Sequence, residues 1–104
     1  MNRLAGFDWD EGNRSKCEKH GVSIAEIEDL FARDALAVRP DPAHSVGEVR
    51  FQAIGITPAG RHVFLVYTLR LVAEGPRVRP ISVRYMHRRE IARYEQDNPG
   101  LRER

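Results

Sequence analysis

The sequence predicts an α+β domain: a small antiparallel sheet of three to four strands, with two N-terminal helices and one C-terminal helix packed on it. Three observations carry this. Apolar residues recur at helical spacing up to about residue 33. From Val49 to Tyr85 they alternate with a period of two, the mark of strands. From Arg88 a helical pattern returns. The chain has 104 residues, enough for one core and about two layers of secondary structure, so a single domain spanning 1–104 is expected.

Each element has a local reason. Glu11 to His20 is polar with good helix formers at its centre, and Gly21 suits the left-handed turn that ends a helix. Ser23-Ile24-Ala25-Glu26 has capping-box spacing. Behind it, Ile24, Ile27, Leu30 and Phe31 form an amphipathic helix over about 23–33. Ala35 to Arg39 reads as a short strand stopped by Pro40 and Pro42, and residues 40–47 as a loop. Val49 to Ile54 alternates as a strand, and Thr57-Pro58-Ala59-Gly60 is a turn. Arg61 to Arg70 is an apolar strand. Leu71 to Pro76 reads as a looser connection. Arg77 to Tyr85 is a further strand, in which Pro80 argues for an edge position or a late start. Arg88 to Gln96 is helical, and Asn98-Pro99-Gly100 ends it.

Composition narrows the function. Hydrophobic residues make up 41% and charged residues 31%, which excludes a wholly disordered chain. No apolar run approaches the ~18 residues of a membrane-spanning helix. Met1 to Asp10 lacks the apolar core of a signal peptide, so a cytoplasmic location is expected. Cys17 stands alone, so no internal disulfide or cysteine-rich metal site is expected. The four histidines show no paired metal-ligand spacing, and neither a metal nor a cofactor is expected.

The charge is uneven. Residues 1–52 carry a net −3 and residues 53–104 a net +5, and 15 of the 17 cations are Arg. Guanidinium grips phosphate with two parallel hydrogen bonds, which suggests a phosphate-bearing partner. A genome rich in G and C would give the same Arg bias on any surface. Strand parity sharpens the first reading. Odd positions (Val49, Phe51, Ala53; Val63, Leu65, Tyr67, Leu69; Ile81, Val83, Tyr85) form an apolar face for the helices to cover. Even positions place Arg50, Arg70 and Arg84 on the opposite face. Either an anion sits among them, or they pair with Glu48, Glu74 or helix carboxylates as surface salt bridges. His20 follows Lys19 at a helix end, where a dipole contact is the plain alternative to a proton-transfer role. His87 stands before Arg88-Arg89 where the last helix begins. His44 sits in a proline-flanked loop with no assigned role. Trp9 reads as a core or lid aromatic.

Trp9-Asp10-Glu11, then Lys19-His20-Gly21-Val22-Ser23 and a helix ending in Leu30-Phe31, resembles the opening of BrnT-type toxins. The resemblance continues through His44-Ser45, Glu48-x-Arg50-Phe51 and Ile54-Gly55. It then runs through Tyr67-Thr68-x-Arg70 and Ile81-Ser82-x-Arg84, and closes with Arg89-Glu90 and Tyr94-Glu95. It covers about residues 7–96.

The resemblance implies the toxin half of a bacterial type II toxin–antitoxin pair, with a RelE-like fold, that cuts RNA without metal and arrests translation. It implies an antitoxin partner with a ribbon-helix-helix DNA-binding segment, through which alone the toxin reaches operator DNA, and no membrane partner. Arg70 and Arg84 are then expected to stabilise the transition state, with Lys19 or His20 moving a proton. Arg50, His87 and Arg88 are expected to position RNA. The alternative is an inactive module of the same fold that binds only RNA or the antitoxin. An antitoxin is expected to bring acidic groups or carbonyls to the Arg50/Arg70/Arg84 surface, because arginines buried without counter-charges are costly.

Overall fold

The computed structural model describes residues 4–97. Its elements run α1 (Glu11–Glu18), α2 (Ile24–Ala32), β1 (Leu36–Pro40), a short 3-10 turn (Pro42–His44), β2 (Arg50–Ile56), β3 (His62–Val72), β4 (Gly75–Tyr85) and α3 (Arg88–Asp97). The four strands form one antiparallel sheet in the order β1-β2-β3-β4. The expected α+β architecture is present. The expected end of the last helix at Asn98-Pro99-Gly100 lies outside the described residues.

Both N-terminal helices begin with a reciprocal cap. Asp10 accepts from the Asn13 backbone N–H at 2.9 Å, and the Asn13 side chain accepts from the Asp10 N–H at 2.7 Å. Ser23 and Glu26 repeat the arrangement at α2. Gly21, between the helices, has φ +86°, which favours glycine. Cys17, Ile27 and Leu30 face inward from the helices and meet Ala53, Val63, Leu65 and Val83 of the sheet. Phe31 stands edge-on to both Phe7 and Tyr67, and Tyr67 stacks on Phe51. Packing leaves no room for a side chain at Gly55, where an added Cβ would lie 2.8 Å from Leu36 Cδ2, 2.9 Å from Leu30 Cδ2 and 3.0 Å from the Ala35 carbonyl.

Three features depart from the sequence reading. The first is the connection expected over 71–76: β3 runs on to Val72 and β4 starts at Gly75, leaving a two-residue hairpin. Gly75, at φ +130°, lets the chain reverse that tightly. The second is a bulge. Val66 pairs with Ser82 but Tyr67 with Pro80, so Ile81 is an extra residue in β4. Parity inverts there. Val78 and Pro80 are buried on the helix side, and so is Val83 beyond the bulge. Arg77 and Arg79 therefore join the polar face. The third is α3, which lies on that polar face rather than with the other helices. Its Glu90 binds Arg84 and its Glu95 approaches His62.

The chain before α1 runs parallel beside β4. Asp8 N–H donates to the Val78 carbonyl and Val78 N–H to the Gly6 carbonyl. Phe7 and Trp9 face the helices, Trp9 Nε1 donating to Glu28 at 3.0 Å. Asp8 and Asp10 face the arginines. Asn13 locks this segment to the bulge, its Nδ2 donating to the Asp8 carbonyl at 3.0 Å and the Pro80 carbonyl at 2.8 Å.

Candidate active site

The polar sheet face has two ends. At one end, cross-strand pairing builds a row from Arg50 through Thr68 to Arg79, with Arg70 opposite Arg77 two residues further along. Thr68 is buried in the middle of the row and donates to the Val49 carbonyl at 2.7 Å. Asp8 lies 3.3 Å from Arg70 and 3.8 Å from Arg79, and Asp10 accepts from Arg79 at 2.6 Å. The Asn13 N–H and then Arg79 hold the Asp10 carboxyl below its usual range. Arg50 Nε is buried and makes no hydrogen bond among the described residues, because Glu48 stands off at 3.6 Å.

The loop from β1 to β2 closes over this end. Asp41 N–H donates to the Arg50 carbonyl, and Arg50 N–H donates to Ser45 Oγ at 3.0 Å. Ser45 Oγ in turn donates to the Asp41 carbonyl at 2.7 Å. The buried Asp41 carboxylate meets His44 Nδ1 at 3.0 and 3.1 Å. That contact, with a further bond from Gln52, holds the Asp41 carboxyl below its usual range. Gln52 Oε1 also accepts from Arg39 at 2.9 Å.

At the other end, Arg84 pairs with Phe64 across the sheet. Its guanidinium makes a fork to Glu90 with both bonds at 2.7 Å and lies over the Phe64 ring at 5.1 Å. Glu90 also accepts the His87 backbone N–H at 2.9 Å. Arg84, then His87, pulls the Glu90 carboxyl down to about 2. Glu90 in turn pushes Arg84 up. His87 and Arg88 are exposed at the start of α3.

The sequence-derived residues thus divide. Arg50, Arg70 and Arg84 do share one face. Yet Phe64, opposite Arg84, is six residues from Arg70 on β3, about 20 Å at strand rise. Lys19 and His20 are exposed at the C-terminus of α1, on the helix side of the sheet. Beside them, a Cβ on Gly21 would lie 3.9 Å from the Tyr85 ring. That ring carries Arg61 at 3.5 Å and donates its hydroxyl to Glu26. Lys19 and His20 therefore stand at the Arg84 end of the sheet, away from Arg70. Sequence reasoning missed Arg79, Asp8, Asp10 and the Asp41–His44 pair. Alternation in Phe7-Asp8-Trp9-Asp10 was the available signal for the two aspartates, and Pro80 for the bulge.

A family model described as "Ribonuclease toxin, BrnT, of type II toxin-antitoxin system" matches residues 9–90. The chain belongs to this family. A search of curated proteins finds no match. As a BrnT-family toxin the chain is a ribonuclease toxin with an antitoxin partner and an RNA substrate. The match spans both ends of the polar face, from Trp9 to the Glu90 that holds Arg84. Among the described residues no helix is long and apolar enough to cross a membrane.

Proposed function

We propose that this BrnT-family chain is a metal-independent endoribonuclease that cuts RNA in the cytoplasm and so arrests translation, with Arg50, Arg70 and Arg79 holding the scissile phosphodiester. The arginine row on the sheet face carries this reading. A guanidinium has five N–H donors. Asp8 engages Arg70 through one contact and leaves its side chain 55% exposed. The carboxylates hold Arg70 and Arg79 in place in the absence of RNA, and the exposed part of Arg70 leaves donors for a phosphate. Such preorganised cations stabilise charge that builds on the phosphorane oxygens as the 2′-hydroxyl attacks phosphorus. Arg84, engaged by Glu90, anchors α3 against the sheet. His87 and Arg88, at the start of α3, and Lys19 and His20, at the same end on the helix side of the sheet, contact flanking nucleotides. A ribbon-helix-helix antitoxin would silence the toxin by bringing acidic groups to the arginine row, and would alone carry the complex to operator DNA.

Antitoxin-free protein incubated with single-stranded RNA in excess EDTA tests this. We expect cleavage that falls at least about a hundredfold in Arg50→Ala and Arg70→Ala. Cleavage unchanged in both variants overturns the site. RNA that is bound but left whole supports the inactive binding module instead.

A further inference from the structure

We infer that His44, oriented by the buried Asp41, is the proton-transfer residue of this site. The inference rests on the proposed ribonuclease activity and adds the base that the arginine row lacks.

Three observations point to it. The first is the pairing itself. The Asp41 side chain is 7% exposed and meets Nδ1 of His44, whose own side chain is 67% exposed. A carboxylate on Nδ1 fixes the ring and its tautomer, and the free Nε2 becomes the acceptor. The second is placement. Asp41 is hydrogen-bonded through its backbone to Arg50, and Ser45 ties the next turn of chain to the same residue. The histidine thus belongs to the arginine-row end of the face, where neither Lys19 nor His20 reaches. The third is the cost of the arrangement. A buried carboxylate is retained when it has partners, and here His44 and Gln52 serve. A loop that needed only to turn would use a solvated Asp or Asn.

The charged and titratable groups on the elements that meet the pair are Arg39 on β1, whose charge also lowers Asp41, Glu48 in the loop and Arg50 on β2; Arg79, with Asp8 and Asp10, lies beyond Thr68 in the same row. The chemistry balances without metal. His44 Nε2 takes the 2′-hydroxyl proton as the O2′–P bond forms. The P–O5′ bond breaks, and the departing 5′ oxygen takes a proton from water. The imidazolium then returns its proton to the hydroxide so formed. The products are a 2′,3′-cyclic phosphate end and a 5′-hydroxyl end. Asp41 touches no substrate and acts as a positioning residue.

The test compares wild type, His44→Ala and His44→Gln on a short single-stranded RNA in EDTA, with RNA affinity and thermal unfolding measured alongside. Because His44 is exposed, both variants should fold. We expect both to lose about a hundredfold or more in cleavage rate, with RNA affinity little changed; His44→Gln, whose amide can still donate to Asp41, should melt close to wild type, and His44→Ala at a lower temperature because it leaves the buried carboxylate short of a partner. Added imidazole should restore His44→Ala severalfold and leave Arg50→Ala unrestored. Cleavage within a few fold of wild type in both variants, or a loss that imidazole leaves untouched, overturns the role of His44 and leaves the ribonuclease reading standing. Wild type that cuts nothing overturns both.

Discussion

Asn13 is the most informative side chain to remove. It is buried, and its amide makes three bonds to backbone groups: Nδ2 to the Asp8 and Pro80 carbonyls, and Oδ1 from the Asp10 N–H. In Asn13→Ala each lost bond costs about 1 kcal/mol net. The Pro80 contact is fully buried, and an orphaned buried carbonyl costs roughly 1–3 kcal/mol in place of the net figure. The expected total is about 4 kcal/mol. A domain this size loses stability at roughly 2 kcal/mol per molar urea, so the unfolding midpoint should drop by ~2 M with the slope unchanged. Urea titration followed by Trp9 fluorescence measures it. The same amide joins the N-terminal segment to the bulge, so Arg79 should also loosen and RNA affinity should fall. A midpoint within ~0.3 M of wild type would refute the account, because it would mean that water replaces all three bonds without loss.

Other expectations follow from single sites. Gly55→Ala should destabilise by about 1–3 kcal/mol through overpacking, since the Ala35 carbonyl is backbone and has least freedom to yield; calorimetry measures it. Glu90 is depressed to about 2 in the fold from an ordinary 4.5, so its stabilisation is complete above pH 4.5 and is lost as the pH falls toward 2. The full shift is nominally ~3 kcal/mol, but the side chain is 36% exposed and solvent screening leaves about 1 kcal/mol. Urea midpoints at pH 5.5 and 2.5 should therefore fall further in wild type than in Glu90→Gln. Burial pushes the Cys17 thiol up to about 11. Iodoacetamide at pH 8 should label it only after denaturation, and mass spectrometry detects the adduct.

Much of the fold was legible because each element carries its own signal. Ser23 and Glu26 announce α2, and the parity of Val63, Leu65 and Tyr67 places β3 on the core. The first helix hid its cap, because Asp10 and Asn13 make the box with residues other than the usual Ser and Glu. The polar face was half legible. Arg50 and Arg70 follow from simple alternation, but Arg79 does not, because one residue at Ile81 reverses the count. Nor could the pattern say which face α3 covers, since Arg84 and Glu90 meet only once the sheet and helix are folded. His44 was legible as a residue but not as a site. Its partner is three residues away in a loop with no period to read.

The bulge at Ile81 works as a phase shift in the chain. Before it, odd positions face the polar side and even ones the core; after it, even positions face the polar side and odd ones the core. Removing that one residue would join Pro80 to Ser82 and straighten the strand into regular alternation, with Arg77 and Arg79 still on the polar face and Val78 still in the core. Closing the bulge with Ile81 kept would instead turn the first half of the strand over, driving Arg77 and Arg79 into the helix-packed interior and Val78 into water. Length variation should be tolerated at the exposed Pro58–Gly60 turn, and loss of Ile81 should leave the arginine row in place.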